Sequence, residues 1–418
     1  MNDGVVRLTI ERLGHQGDGV APGPVFVARG LPGEVVEGVV EAGRMASPRI
    51  VAPVVERVRP PCRHAKACGG CALQHAHDGF LATWKIGVVE TALKAQGLEA
   101  PIRGISTSPP RSRRRVVLAA RRLKNGTQVG FYGQKSDTII EITDCHLIRP
   151  ELLAQLELVG KLTRLGASRK GRLAVTLTLL DDGVDIAVSG AKPLDRELFH
   201  QLGDLVRGAG VVRLSWEGEP VVAFGPAMLS LGPARVPLPP GAFLQATREG
   251  EMALVASVEQ ALSGAGKVAD LFAGAGTFAL PLSKSAAIHA VESQENMLDA
   301  LLAGWRGAEG LKPVTIEARD LFRRPLLADE LARFDAIVLD PPRAGAEAQV
   351  AEIARAPIGV LAMVSCNPVT FARDARVLVE AGFTIEWLRV VDQFRWSPHV
   401  ELVARFVRKG FKAGAKRL

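Results

Sequence analysis

The stretch from Lys267 to Glu292 constrains this chain more than any other. Lys267-Val268-Ala269-Asp270-Leu271-Phe272 reads as a buried strand that enters the glycine loop Ala273-Gly274-Ala275-Gly276. A helix is expected from Thr277 and a second strand over 288–292. A strand-helix-strand start of this kind predicts a parallel sheet with right-handed crossovers, and so an α/β fold. The glycines allow a ligand close to the backbone, and Glu292 at the second strand's end can accept hydrogen bonds from ribose hydroxyls. Nicotinamide dinucleotides use the same pattern, so the loop alone leaves the nucleotide open. A helical pattern over 247–262 follows Gly241-Ala242-Phe243-Leu244-Gln245 and precedes the first strand.

Downstream, Phe334 to Leu339 forms a strand that ends in Asp340-Pro341-Pro342-Arg343. An Asp-Pro-Pro at a strand's carboxyl end is typical of methyltransferases acting on planar nitrogenous rings and has no standard place in a dehydrogenase. The plainer alternative is a proline strand terminator. Asp320, just past the strand Val314 to Ala318, either faces adenine or is a solvated loop carboxylate. Cys366 stands alone in Val364-Ser365-Cys366-Asn367-Pro368, after the apolar run from Gly359. A thiolate at a strand end can add to an electron-poor carbon, although a lone cysteine is often a buried structural thiol.

The other four of the five cysteines form a separate set. Cys62, Cys68 and Cys71 share one loop, with Cys145 much later. Three ligands on a loop and a remote fourth would staple two segments. Zinc ribbons usually present two C-x2-C pairs, whereas only one exists here, and iron–sulfur clusters tolerate a triplet plus a distant ligand. Iron–sulfur, zinc and unrelated thiols all remain open on spacing alone. His64, His75, His77 and His146 read as ordinary polar residues nearby.

The formal net charge of +8 favours a polyanionic partner. Arg111, Arg113, Arg114, Arg115, Arg121, Arg122 and Lys124 lie close together and could neutralise phosphates; a merely solvated basic face is the alternative. The start Met1-Asn2-Asp3-Gly4 lacks a basic segment followed by an apolar one, and no apolar run reaches about 18 residues. A cytoplasmic protein with reduced thiols and no membrane partner is expected.

Three segments are expected. Residues 1–58 carry short β-rich runs between Gly and Pro turns, which fits a small barrel. Residues 59–236 hold the cysteines and the basic run, and residues 237–418 hold the nucleotide-type fold. The first segment resembles a TRAM domain through Gly17-x-Gly19-Val20-Ala21 and Gly30-Leu31-Pro32-Gly33-Glu34.

The whole chain is similar to S-adenosylmethionine-dependent RNA (uracil-5)-methyltransferases. The blocks that carry this are Val364-Ser365-Cys366-Asn367-Pro368-x-Thr370-x-Ala372-Arg373-Asp374, Asp340-Pro341-Pro342-Arg343 and Asp392-Gln393-Phe394-x-x-x-Pro398-His399-Val400-Glu401. The nearest branch is the large-subunit rRNA enzyme with a TRAM domain and a [4Fe-4S] cluster. The resemblance implies a class I, Rossmann-like catalytic fold with an N-terminal barrel and a central α+β unit. Cys366 is then the nucleophile and Glu401 the base, with Gln245, Phe272, Glu292 and Asp340 contacting the cofactor. Gly274, Gly276 and Thr277 of the loop and Asp320 join that cofactor set. Cys62, Cys68, Cys71 and Cys145 would hold the cluster. An amphipathic helix with Trp84 and Ile86, within about 77–105, is expected to pack on the catalytic unit. The implied partner is RNA, rRNA before tRNA, and the enzyme is expected to act as a monomer.

The chemistry explains the residue types. C5 of uracil is too weak a nucleophile to take a methyl group directly, so thiolate addition at C6 must first build electron density at C5. A base must afterwards remove the C5 proton. Arg343 could orient the ring, and the target uridine would have to leave its stack. The alternatives are a noncatalytic zinc-stapled RNA-binding protein and an iron–sulfur nicotinamide oxidoreductase, and neither uses the blocks around Cys366 and Glu401.

Overall fold

Alternation of apolar and polar residues in short runs sets the first part of the chain. The structure, a computed structural model, describes residues 4–408 and residue 410; the outermost ends of the 1–58 and 237–418 segments lie outside the described residues. Seven strands come first: β1 (Val5–Thr9), β2 (Arg12–Leu13), β3 (Gly19–Ala21), β4 (Val25–Val27), β5 (Val35–Val39), β6 (Arg44–Met45) and β7 (Arg49–Ala52). They form a three-stranded sheet, β1-β5-β7, and a four-stranded one, β2-β3-β4-β6, around Ile10, Val27, Val36 and Met45. The expected barrel of longer runs is thus built from more and shorter strands. Pieces of two or three residues leave no period in the sequence.

Helix α1 (Asp78–Ala95) begins where the His77 side chain accepts the Gly79 N–H at 3.1 Å, and β8 (Ile102–Thr107) follows. A seven-stranded sheet comes next, made of β9 (Arg115–Leu123), β10 (Gly126–Tyr132), β11 (Ile139–Glu141), β12 (Arg172–Leu180), β13 (Gly183–Ser189), β14 (Val211–Trp216) and β15 (Glu219–Ala223). Helices α2 (Pro150–Leu153), α3 (Leu156–Gly166) and α4 (Arg196–Val206) lie between these strands in the chain, and α3 and α4 bury apolar faces against the sheet around Trp216. The hairpin of β16 (Met228–Leu231) and β17 (Ala234–Pro237) leads onward.

The remaining chain runs α5 (Arg248–Ala261), β18 (Lys267–Leu271), α6 (Ala279–Leu282), β19 (Ala287–Glu292), α7 (Glu295–Arg306), β20 (Val314–Ala318), α8 (Ala328–Leu331), β21 (Ala336–Leu339), α9 (Glu347–Arg355), β22 (Val360–Ser365), α10 (Pro368–Glu380), β23 (Phe383–Asp392) and β24 (Glu401–Arg408). The sheet order is β20-β19-β18-β21-β22-β24-β23-β8. Apolar layers cover both faces, as an α/β sheet requires.

Two expectations change. The sheet is mixed rather than parallel: β24 folds back from β23 and inserts antiparallel beside β22. Helix α6 has four residues and starts at Ala279, because Gly276 takes a left-handed turn (φ +97°) first. Strand β8 lies at the edge of this sheet, parallel to β23, and α1 packs on α10, where the 77–105 segment is expected although it precedes Cys145 in the chain. No helix among the described residues is long and apolar enough to cross a membrane.

Candidate active site and the cysteine loop

The parallel strands β18, β19, β21 and β22 all end at one edge of the sheet, and ligands of open α/β sheets bind in the crevice beyond such ends. There a cavity of about 620 Å³ is lined by Gln245, Phe272, Gly274, Glu292, Asp320, Asp340, Cys366 and Glu401, eight of the residues singled out in the sequence. Gly276 and Thr277 are not in its wall. Gly276 instead turns the chain against Leu280 and Leu301.

Register brings the two reacting groups together. Ser365 on β22 is paired with Leu402 on β24, so the next step of that antiparallel ladder faces Cys366 toward Glu401. The ring of Pro368 starts α10, and Asn367 caps it by accepting the Val369 N–H at 3.1 Å. The amide of Asn367 and the hydroxyl of Thr370 both donate to the Arg343 carbonyl, at 3.0 and 3.1 Å. Asp374 accepts from the Ala346 N–H, and Arg373 donates to the Ala344 carbonyl. The nucleophile block and the Asp-Pro-Pro-Arg block are thereby stapled to each other.

The cofactor side is equally explicit. Phe272 adopts a left-handed backbone (φ +66°), uncommon for a bulky residue, with its N–H and that of Ala273 both on the Val291 carbonyl. This aims its ring into the cavity beside Phe322, with centroids 5.5 Å apart. Glu292 accepts from the N–H groups of Gly274, Ser293 and Gln294 at 3.1, 2.7 and 3.0 Å. Asp320 accepts from the Phe322 N–H at 2.9 Å.

Electrostatics sets the resting protonation. Burial pushes Glu401 up to about 8, helped by the charge of Asp340 and opposed by a hydrogen bond from Gln393. Burial also lifts Asp340 to about 7. Asp270, beneath the cavity floor, is raised to about 8 by burial and then by Asp340. The Cys366 thiol is raised by burial and by Glu401 and Asp340, while Arg343 opposes this by charge and hydrogen bond. Arg343 also donates to His399 Nδ1 at 2.7 Å.

Sequence reasoning missed Gln393, Asp270 and Phe322. Gln393 is buried and donates to both Gln245 (2.5 Å) and Glu401, tying a cofactor-side residue to the base. Its place inside the block from Asp392 to Glu401 was the available signal, as was an acid within an apolar strand for Asp270.

The basic run does not form one face. Arg114 is buried in an ion pair with Glu251 and donates to the Gln245 carbonyl, and Arg113 lies over the Phe394 ring at 5.5 Å. Arg115 reaches the Gly241 carbonyl. Of this run only Arg111, Arg122 and Lys124 are exposed.

Cys68 and Cys71 are buried, and Cys62 and Cys145 half-buried. Burial raises the Cys68 and Cys145 thiols and pushes Cys71 up to about 12. Charge on Cys145 and Cys62 adds to the shifts at Cys68 and Cys71, so the four lie within electrostatic reach of each other. A bound cation would relieve that repulsion, and the donor type suits a thiolate-ligated centre. Among the described residues, however, no three His, Cys, Asp or Glu side chains stand at metal-holding spacing.

A family model described as tRNA (uracil-5-)-methyltransferase matches residues 241–409. An uncharacterized RNA methyltransferase of Brucella suis is 43% identical over 401 residues, spanning 95% of this chain and 97% of its own. The 23S rRNA (uracil(1939)-C(5))-methyltransferase of Chromohalobacter salexigens is 32% identical, over 98% of this chain and 91% of its own. The Pyrococcus abyssi tRNA (uracil-54, C5)-methyltransferase, solved with S-adenosyl-L-homocysteine, superposes with a TM-score of 0.76 at 23% identity, over 96% of this chain and 99% of that one.

Proposed function

Since the chain belongs to the RNA (uracil-5)-methyltransferase family, an enzymatic family that uses S-adenosylmethionine, we propose that it converts a uridine of large-subunit rRNA to 5-methyluridine at the Cys366–Glu401 site. The observation that carries this reading is the register of β22 against β24, which sets a nucleophile and a base opposite each other at the cavity wall.

Cys366 adds as thiolate to uracil C6, Arg343 being the cation that favours the thiolate. The electron pair arrives at C5, which takes the methyl carbon. Bound S-adenosylmethionine would supply the sulfonium-held methyl group, with the neutral thioether as the leaving group. Glu401 then removes the C5 proton, the C5–C6 double bond re-forms, and the Cys366 sulfur departs with its bonding pair. Gln393 holds the Glu401 carboxyl in place during this step. Glu292 would take the cofactor's ribose hydroxyls, Phe272 and Phe322 its adenine, and Asp340 its charged end.

The rRNA assignment is supported by the 32% identity to a 23S rRNA enzyme. The fold likeness to a tRNA enzyme spans 96% of the chain, so the extra segments alone do not separate the two substrates. We assign residues 1–58 a TRAM-like RNA-binding role, residues 59–236 cluster and RNA binding except for the stretch of α1 and β8 that joins the catalytic unit, and residues 237–418 catalysis. The four thiols are proposed to hold a structural [4Fe-4S] cluster, and methyl transfer needs no electron from it. Iron and sulfide in anaerobically purified protein are expected; stoichiometric zinc would replace that assignment.

The deciding experiment is nucleoside mass spectrometry of rRNA and tRNA, separately, from cells with and without the gene. Loss of 5-methyluridine from large-subunit rRNA is expected. Loss from tRNA alone would keep the chemistry and change the substrate, and no loss from either would sink the reading.

A further inference from the structure

The eight residues between β23 and β24, residues 393–400, carry Gln393 at one end and deliver Glu401 at the other. Phe394 and His399 of this turn also line the cavity. From the catalytic unit, Arg395 reaches the Ser108 carbonyl just past β8 and Arg343 reaches His399. The rest of the grip comes from the cysteine loop and α1.

Trp396 is the centre of that grip. Its carbonyl accepts the N–H groups of Ala72 and Leu73, both at 3.0 Å, directly after Cys71 in the chain. Its ring is buried among Leu13, Leu31, Cys71, Leu73, Ala76 and Leu81, so residues from all three segments meet there. Its indole N–H donates to Asp78 at 3.3 Å, and Arg395 pairs with the same carboxylate. The backbone of Trp396 is left-handed (φ +58°), a conformation a large aromatic residue holds only where its surroundings enforce it.

A second clasp lies two turns further along α1. Lys85, with no exposed surface, ion-pairs with Asp392 at 2.6 Å and donates to the Phe394 carbonyl at 3.2 Å. A fully buried ammonium is costly unless paired and hydrogen-bonded, so its placement beside the two residues flanking Gln393 argues for a fixed backbone there.

We propose that the cysteine-bearing loop and α1 position the catalytic base: Ala72, Leu73 and Asp78 hold the 393–400 turn through Trp396, and so set Gln393 and Glu401. Trp396 is a positioning residue outside the cavity wall, and its loss is expected to change proton removal before cofactor binding. Disturbance of the thiol centre travels to the base by the same route. This inference rests on Glu401 being the base.

The test compares Trp396→Ala, Trp396→Phe and Glu401→Gln in the full chain, using total RNA from cells lacking the gene. In Trp396→Ala the S-adenosylmethionine dissociation constant should stay within about twofold, turnover should fall about tenfold or more, and covalent protein–RNA complex on ordinary uracil RNA should accumulate. Trp396→Phe keeps a ring in the pocket and should recover much of the turnover. Wild-type turnover in Trp396→Ala would overturn the proposal, as would joint loss of cofactor binding, adduct and turnover, which marks a merely structural role. Should Glu401→Gln turn over normally, the base assignment fails by itself. Hydrogen exchange over 392–401 then decides: faster exchange in Trp396→Ala supports the brace, and unchanged exchange removes it.

Discussion

Glu401, the base of the proposed mechanism, is kept in its acid form by its surroundings. With its carboxyl raised to about 8, most of it is protonated at neutral pH, and the fraction able to take the C5 proton grows as pH rises through that value. The Cys366 thiol, also raised, moves in the same direction. Turnover should therefore climb from about pH 6 to about pH 9 instead of levelling near neutrality; a flat profile in single-turnover methylation would contradict it. Cys366→Ala should remove both methylation and the covalent complex with 5-fluorouracil RNA, a loss of several orders of magnitude. Both residues, which the fold brings to one cavity wall, stand out in the sequence because their blocks are dense in unusual types. Gln393 does not, because an amide's role depends on which two acceptors it bridges, and that needs the fold of β23 against β24.

At the scale of elements, β9 shows what a one-dimensional reading loses. Seven basic residues close in sequence suggested one patch, but the fold buries Arg114 against Glu251 and turns Arg113 onto the Phe394 ring, and leaves Arg111, Arg122 and Lys124 exposed. The consequence is two populations with different penalties. Arg114→Ala strands the buried Glu251 carboxylate and should cost about 3–5 kcal/mol in denaturant unfolding. Arg122→Ala and Lys124→Ala, at exposed sites, should stay within about 0.5 kcal/mol in the same assay. If they contact RNA phosphates, the salt dependence of RNA binding should flatten in the double variant by about one to two in slope. Equal stability losses at Arg114 and Arg122 would show that the burial pattern does not govern the run. The strand-loop-strand start over 267–292 was legible by contrast, since its period and glycines are local. The two- and three-residue strands of the first segment were below any period.

At the scale of the molecule, the sheet order explains why distant segments share one site and why sequence order concealed it. The residues 78–107 leave the cysteine region, pack on α10 and add β8 beside β23 before the chain returns to Cys145. Such an excursion has no local signature, because only long-range pairing defines it. The same convergence concentrates three carboxyls, Asp270, Asp340 and Glu401, beneath one cavity, each raised to between about 7 and about 8. An acid whose folded value lies above its unfolded one binds its proton more tightly when folded. Its stabilising contribution is complete below the unfolded value near 4 and is lost as pH rises through the folded value. The ligand-free protein should accordingly become less stable between about pH 6 and about pH 9. A sulfonium placed among these groups favours their ionised forms, whereas the neutral thioether product does not. S-adenosylmethionine should thus raise the melting temperature by a margin over S-adenosylhomocysteine that widens with pH. Thermal melts of the free and the two liganded forms across that range measure it, and a margin independent of pH would mean that the carboxyls do not face the methyl-bearing sulfur.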